Sequence, residues 1–133
     1  MIKRGEDNVP ELIAKQAHGG TGSIRVRQLL GKDQALPEMP GHPKDFDSNI
    51  SFLHKATIPP GVTIGLHTHI GSEEFYYILD GKGLITVNGE SMEMKQGDVV
   101  LTNNGDSHAF KNVGKDELHM IVVEGAVEQK DKV

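Results

Sequence analysis

Turn-forming residues divide residues 50–125 into a succession of short segments. Of all the features of the sequence, the spacing of these turns restricts the possible folds most. The chain holds 16 glycines and 6 prolines, and within the segments apolar and polar residues tend to alternate. Alternation with a period of two is typical of strands, whereas a helix needs a longer run with a period of 3.6. Many short strands with little helix predict an all-β sandwich or barrel.

The expected strands follow from these boundaries. The Asn88-Gly89 pair is the clearest hairpin signal, because both positions of a type I′ turn need positive φ. Residues 11–17 are expected to form one or two helical turns, and residues 31–48, which contain three of the prolines, a long loop. Strands are expected at 23–30, 49–58, 62–70, 74–80, 84–87, 90–94, 97–102, 108–112 and 117–125. We therefore expect an N-terminal arm at 1–22, a barrel at 23–125 and a charged tail at 126–133.

Size, charge and cysteine content exclude several classes of function. At 133 residues the chain is expected to form a single domain. Its formal charge is -5 and it has no cluster of lysines and arginines, so nucleic acid is not an expected partner. The absence of cysteine excludes disulfides, thiolate ligands and a cysteine nucleophile. No apolar run reaches the length of a signal peptide or a membrane span, so we expect a cytoplasmic protein without a membrane partner.

Three histidines and one glutamate form a candidate metal-binding set. His67 and His69 stand two apart in a predicted strand, so both imidazoles point to the same face. Glu74 opens the next predicted strand and can face the same interior, and His108 lies in a later strand. Three neutral imidazoles and a carboxylate suit a first-row divalent ion. A His-x-His pair alone is common, and a single histidine in a strand is more often a surface residue or a hydrogen-bonded core residue.

The residues around His67 match the first motif of the cupin superfamily. In that motif a glycine is followed after five residues by His-x-His, then by a glutamate and, six residues later, by a second glycine. Here Gly61, His67, His69, Glu74 and Gly81 occupy these positions. The chain therefore resembles the cupins over this stretch.

The second cupin motif is matched with one departure. Gly97 and Gly105 occupy its glycine positions, and His108 and Asn112 follow at the spacing of the family. Asn103 stands where the family usually has proline. Asparagine also suits a tight turn, so we expect the turn to be preserved. Asn112 is expected to make a structural hydrogen bond.

The resemblance implies a fold and a ligand set. It implies a single-domain double-stranded β-helix, the jelly-roll barrel of the cupins. It also implies that one divalent transition metal is bound by His67, His69, Glu74 and His108, and leaves manganese, iron, nickel and zinc open. Many such small barrels form homodimers, and we expect strand 23–30 to pair across subunits because an exposed edge strand invites pairing.

Several functions remain open at this stage. Cupins with this ligand set include dioxygenases, oxalate-type decarboxylases, isomerases and non-enzymatic binding proteins. Our first hypothesis is a metal-dependent enzyme that oxidises, decarboxylates or enolises a small oxygen-rich molecule. The alternative is a non-catalytic module that binds a metal or a small ligand. A DNA-binding regulator is disfavoured, because residues 1–22 show no helix-turn-helix pattern.

Side-chain alternation identifies two further candidate site residues. Tyr76 shares the parity of Glu74, and a solvent-facing Lys55 directs His54 inward. Both are candidates for acid–base or substrate-orienting roles, although His54 as a core histidine and Tyr76 as a packing residue are the alternatives. His18 and His42 are expected to be exposed loop residues without a role. The same alternation places Gly65, Ile78, Phe110, Asn112, Phe52, Ala56, Leu118, Met120 and Val122 inside, and Met92, Met94 and Met120 are expected to be adaptable core residues.

Overall fold

Two antiparallel β-sheets enclose one hydrophobic core in the computed structural model, which describes residues 1–36 and 39–128. The six-stranded sheet has the order β1-β2-β3-β10-β5-β8, and the four-stranded sheet has the order β4-β9-β6-β7. The strands are β1 (Leu12–Lys15), β2 (Ser23–Gly31), β3 (Ile50–Ile58), β4 (Thr63–Thr68), β5 (Ser72–Asp80), β6 (Lys82–Val87), β7 (Glu90–Lys95), β8 (Val99–Thr102), β9 (Ser107–Asn112) and β10 (Leu118–Ala126). The predicted all-β, single-domain barrel is confirmed. Residues 129–133 of the expected charged tail lie outside the described residues.

Alternating burial along the strands explains why these segments form sheets. In β3, Phe52, His54 and Ala56 are buried, while Lys55 between them points outward and pairs with a glutamate. Asn88 and Gly89 have φ values of 50° and 81°, which confirms the tight hairpin between β6 and β7. The interior face predicted from alternation is therefore correct for β3, and the predicted turn is correct for the β6–β7 hairpin.

The core is apolar and closely packed at its centre. Ile58, Ile78, Leu118 and Met120 have no measurable exposure. Burial of each such side chain stabilises the fold by about 1.5–3 kcal/mol. Met94 also lies in the core, but Met92 is 65% exposed, so its assignment to the core is wrong. Met92 and Met94 are two residues apart and share a face of β7, so alternation does not separate them. Met92 lies nearer the hairpin end of β7, which is an edge strand of its sheet, and there it is not covered by the core.

The N-terminal arm differs from its prediction. Residues 11–17 do not form helical turns, because residues 12–15 form β1 and pair with β2 in the register Leu12↔Val26 and Ala14↔Ile24. A helix this short has too few hydrogen bonds to be stable alone, and pairing with β2 supplies a full ladder. A single 3₁₀ turn, Ala17–Gly19, follows β1.

The edges of the six-stranded sheet bear on the expected pairing between subunits. β2 is hydrogen-bonded to β1 on one side and to β3 on the other. β1 covers only Ser23–Val26, and within the described residues no strand pairs with residues 27–30 on that side, so the pairing of strand 23–30 across subunits stays a prediction. The edge on this side of the sheet belongs to β1.

The long loop between β2 and β3 is tied to the barrel. Asp45 binds the guanidinium of Arg4 at 2.6 Å and accepts a hydrogen bond from the backbone N–H of Gly31. Leu36 and Met39 pack against the core. The described part of this loop therefore closes one side of the barrel interior. None of the helices in residues 1–36 and 39–128 has the length and apolar character needed to cross a membrane.

Candidate metal centre

The four predicted ligands converge inside the barrel. His67 lies in β4, His69 follows the end of that strand, Glu74 lies in β5 and His108 in β9. One donor atom from each of the four lies within 4.8 Å of the others. His69, Glu74 and His108 are buried, and His67 is partly exposed. This group could hold a metal ion.

The spacing of the donor atoms fits a single ion. His108 Nε2 lies 2.9 Å from His67 Nε2, 3.0 Å from His69 Nε2 and 3.3 Å from Glu74 Oε1. His69 Nε2 lies 3.4 Å from the same glutamate oxygen. Ligands about 2.1 Å from a common ion are about 3.0 Å apart at right angles and about 3.4 Å apart at tetrahedral angles. These four separations match this range.

Hydrogen bonds on the opposite ring nitrogen aim His67 and His69 at this point. His67 Nδ1 donates to the carbonyl oxygen of Gly65 at 2.7 Å. His69 Nδ1 lies 3.2 Å from a carboxylate oxygen of Glu124. Because both partners accept hydrogen bonds, Nδ1 carries the proton when the ring is neutral, and the lone pair lies on Nε2.

His108 completes the same arrangement. Its Nδ1 lies 2.8 Å from Thr102 Oγ1, and both residues are almost fully buried. Three Nε2 atoms therefore meet at one point. When Thr102 Oγ1 accepts the Nδ1 proton of His108, three neutral imidazoles would direct their lone pairs at one another. A cation at that point satisfies all three lone pairs, so the donor set fits a metal.

The charges at the centre also suit a cation. Burial opposes ionisation of Glu74, but hydrogen bonds from His108 and His69 outweigh it and lower the pKa of Glu74 to about 2. Burial lowers the pKa of His67 to about 4, so its ring is neutral at neutral pH. Hydrogen bonds to Glu124 and Glu74 raise the pKa of His69 to about 9, so a metal must displace a proton from this ring.

His54 lies in the wall of the adjacent cavity and is not one of the converging ligands. It is 4% exposed, and its ring stacks on Phe52 with centroids 4.0 Å apart. Its Nε2 lies 3.3 Å from Gln28 Oε1, so a side-chain amide and not the backbone satisfies it. Burial lowers the pKa of His54 to about 4, which keeps the imidazole neutral.

Tyr76 faces the ligand group. Its hydroxyl oxygen lies 3.4 Å from His108 Nε2, and its ring stacks on the His108 ring with centroids 5.2 Å apart. Burial raises the pKa of Tyr76 well above its usual value, so the phenol keeps its proton. Tyr76 is thus both a packing residue and a hydrogen-bond donor beside the site.

His18 is a contact of the site that sequence reasoning missed. Its imidazole stacks on His67 with ring centroids 3.6 Å apart and an interplanar angle of 11°. Its backbone is left-handed, with φ 50° and ψ 36°, and a Cβ added to Gly65 would lie 2.2 Å from the His18 carbonyl oxygen. The glycine-rich run around His18 is the feature of the sequence that could have indicated this contact, because glycines allow two backbones to approach closely. His18 is exposed as predicted, but it contacts a candidate ligand.

A small cavity adjoins the candidate ligands. Its volume is about 60 Å³, and a water molecule needs roughly 10–15 Å³ by this measure. It therefore takes a molecule of only a few heavy atoms. Burial raises the pKa of Asp33, which lines the cavity, to about 6. The lining residues are Ala14, Ala17, His18, Ile24, Val26, Asp33, Leu36, Phe52, His54, Ala56, Ile64, Glu74, Tyr76, Met120 and Val122.

Comparison with known proteins identifies the family. The cupin domain family matches residues 54–124, which include all four converging residues. This chain is a cupin. The assignment confirms the resemblance seen in the sequence.

Similar proteins cover most of the cupin chain. An oxalate-binding protein of Thermotoga maritima is 32% identical over 123 residues, which are 92% of each chain. An uncharacterised protein of Methanocaldococcus jannaschii is 33% identical over 121 residues, which are 91% of this chain and 83% of the other. The crystal structure of a predicted oxalate decarboxylase from Thermotoga maritima aligns with a TM-score of 0.78 and 29% identity, covering 96% of this chain and all of that one.

The departure from the cupin motif leaves the turn intact. The Asn103 N–H donates to Asp106 Oδ2 at 3.1 Å, and the Asp106 N–H donates back to the Asn103 carbonyl oxygen at 3.0 Å. Proline at this position could not make the first bond. Asn112 has the structural role expected for it, because its buried side chain donates to the carbonyl oxygen of Ile58 at 2.7 Å and accepts from the Gly114 N–H at 2.8 Å.

Proposed function

We propose that this cupin binds one divalent transition metal through His67, His69, Glu74 and His108 and uses it to bind a small oxygen-rich organic molecule. The observation that carries the proposal is the meeting of three Nε2 atoms and one carboxylate oxygen at a point. Manganese, iron, nickel and zinc all suit this donor set. When bound, such an ion polarises a carbonyl or carboxylate oxygen next to it.

The cavity supports a small carboxylate as the ligand. The oxalate-binding relative is 32% identical to this chain, and its name points to a compact molecule with adjacent oxygens. Lysine and arginine are missing from the lining residues in the described part of the chain, so the ion itself would balance the ligand's charge. We propose carboxylates with a second oxygen on the neighbouring carbon, namely 2-oxo acids, 2-hydroxy acids and oxalate.

His54 and Tyr76 support an enzymatic role. A neutral imidazole on the cavity wall can accept a proton, and a protonated phenol beside the ligand group can donate one. Decarboxylation and enolisation both require proton transfer next to the polarised oxygen. Of the reactions considered, these two use the groups that the cavity contains.

The alternative is a binding protein without turnover. It is favoured by the oxalate-binding relative, whose name describes binding alone. In that case His54 and Tyr76 would orient the ligand by hydrogen bonds, and the molecule would leave unchanged. The two functions differ only in whether product forms.

The test is ligand binding by metal-loaded and metal-free protein. Calorimetry with oxalate, pyruvate and glycolate should show binding by the manganese-loaded or zinc-loaded protein and none by the metal-free protein. Proton NMR of the same mixtures over hours separates an enzyme, which forms product, from a binding protein. Equal affinity of the metal-free and metal-loaded proteins for every compound would contradict the proposal.

We also propose that the chain forms a homodimer through the outer face of the six-stranded sheet. On this face Tyr77, Val99 and Leu101 are 40%, 61% and 53% exposed, and Tyr77 is paired with Val99 across β5 and β8. An apolar patch of neighbouring strands is typical of an interface. Light scattering should give a dimer for the wild type and a monomer for Leu101→Lys, and a monomeric wild type would contradict the proposal.

A further inference from the structure

Gln28 is a buried polar side chain whose orientation is fixed by the backbone. It lies on β2 and is 1% exposed. Its Oε1 accepts a hydrogen bond from the Asp33 N–H at 3.0 Å, and its Nε2 donates to the Pro40 carbonyl oxygen at 2.6 Å. A backbone N–H can only donate and a backbone carbonyl can only accept, so the amide cannot be flipped without losing both bonds.

This orientation fixes the tautomer of His54. His54 Nε2 lies 3.3 Å from Gln28 Oε1, which only accepts, so Nε2 carries the proton of the neutral ring. Nδ1 then carries the lone pair. Stacking on Phe52 restrains the plane of the ring.

The His54 lone pair is available to a ligand. In the part of the chain that the structure describes, His54 makes a hydrogen bond only through Nε2. Every fully buried side-chain nitrogen in that part has a hydrogen-bond partner, so Nδ1, which has none, is not fully buried. Nδ1 is therefore open to the cavity that His54 lines. A neutral imidazole in this state accepts a hydrogen bond and cannot donate one there.

We propose that Gln28 is a positioning residue that fixes the His54 tautomer and thereby selects ligands with a hydrogen-bond donor. This inference rests on the proposed function, because the ligand's oxygens are taken to bind the metal. The ligand class is then a 2-hydroxy acid, whose hydroxyl donates to His54 Nδ1. A fully ionised dicarboxylate of similar size has only acceptors and would place a carboxylate oxygen against the lone pair.

Gln28 also connects this selection to the loop between β2 and β3. Its two backbone partners, Asp33 and Pro40, both lie in that loop, and Asp33 lines the cavity. Loss of the amide would therefore free the His54 ring and weaken one tie of the loop. Asp45 ties the same loop through Arg4 and Gly31 without touching His54, so Asp45→Asn is a matched control for the loop alone.

The experiment uses zinc-loaded full-length protein. Two-bond ¹H–¹⁵N NMR of ¹⁵N-histidine-labelled protein reports the tautomer of His54, which is assigned by the signal lost in His54→Gln. Calorimetry gives the affinities for glycolate and oxalate. We expect Nε2–H in the wild type and in Asp45→Asn, with the same glycolate-to-oxalate affinity ratio in both. In Gln28→Leu we expect a mixture of tautomers and a ratio lower by about fivefold to tenfold, the loss of about one hydrogen bond.

Each outcome bears on the inference. An Nδ1–H tautomer in the wild type, or an unchanged affinity ratio in Gln28→Leu, would overturn it. If Gln28→Leu is unfolded by circular dichroism, His54→Gln serves instead, since it removes the Nδ1 acceptor and should lower the ratio similarly. Zinc-loaded wild type that binds neither compound would contradict the proposed function and the ligand class with it, while the tautomer would still decide the role of Gln28.

Discussion

The two sheets contribute different chemistry to the same interior. The four-stranded sheet, with the residue after β4, brings the three imidazoles to one point, and each has a hydrogen-bond partner on its outer ring nitrogen. The six-stranded sheet contributes Glu74 and a second polar pair, Gln28 and His54, set among apolar side chains. The histidines of the first group need a cation to satisfy their lone pairs, whereas His54 donates its Nε2 proton to a neutral amide and leaves its Nδ1 lone pair to the cavity.

This difference separates the residues that bind the metal from the residues that select the ligand. Strand pairing places His67 directly opposite His108 in neighbouring strands, so the ligand group is set by the ladder itself. His54 depends instead on Gln28 and on the loop that Gln28 holds. We therefore expect changes on the four-stranded side to affect the metal and changes on the six-stranded side to affect the ligand.

The largest expected effect is the loss of a ligand from the four-stranded sheet. His108→Ala removes a fully buried imidazole that lies within 3.3 Å of three other donor atoms. Metal retained after gel filtration, measured by mass spectrometry, should fall from about one per chain to near zero. His119→Ala is the control, because that imidazole bonds to Thr57 outside the site and metal content should not change. If His108→Ala retained all of its metal, the four-stranded sheet would not be the part of the molecule that binds it.

A smaller effect is expected from the partner of that ligand. Thr102→Val removes the hydroxyl 2.8 Å from His108 Nδ1 but keeps the shape of the side chain. Loss of such an orienting bond typically lowers metal affinity by about 10-fold to 100-fold. Competition with a chelator measures this directly, and Thr86→Val, which removes an exposed hydroxyl bonded to Ser91, should leave the affinity unchanged.

On the six-stranded side, His54 should affect the pH dependence of stability. Its pKa is about 4 in the folded protein and about 6.5 when unfolded. Between these values the unfolded chain binds the extra proton, so the free energy of unfolding falls as the pH drops from 6.5 to 4. His54→Gln lacks this proton, and its stability loss between pH 7 and pH 5 should be smaller by roughly 2 kcal/mol. Urea titrations at the two pH values test this, and equal losses would show that His54 is not held neutral.

The smallest effect is expected at His18, which contacts the four-stranded side from the N-terminal arm. His18→Ala removes a stacked ring from His67. An aromatic pair of this kind stabilises by about 0.5–1.5 kcal/mol when buried, and His18 is exposed, so the loss should lie at the lower end. Thermal unfolding of zinc-loaded protein measures it against His42→Ala as the control. If His18→Ala lost its metal as completely as we expect for His108→Ala, His18 would be a metal ligand and not only a stacking partner of His67.

Much of the fold could be predicted because the strands alternate cleanly. The parity that placed Tyr76 with Glu74 and His54 opposite Lys55 is a local property of each strand, and the structure agrees with it. The convergence of His67, His69, Glu74 and His108 was suggested by motif spacing that belongs to a single fold. These features needed no knowledge of distant contacts.

The features that sequence did not predict depend on distant contacts. β1 formed because β2 supplied its hydrogen bonds, although residues 11–17 alone suggested helical turns. His18 reached His67 through a left-handed backbone and a close approach to Gly65, which no periodicity signals. The role of Gln28 depends on two backbone partners in a loop without regular structure, which no pattern in the sequence indicates.

The central claim is that three imidazoles and one carboxylate bind one ion. Crystals of the manganese-loaded protein, measured at a wavelength where manganese scatters anomalously, test it most directly. The account predicts one strong anomalous peak per chain, roughly 2.0–2.3 Å from His67, His69 and His108 Nε2 and from a Glu74 oxygen. A peak elsewhere in the chain, or none at this point in fully loaded protein, would contradict it.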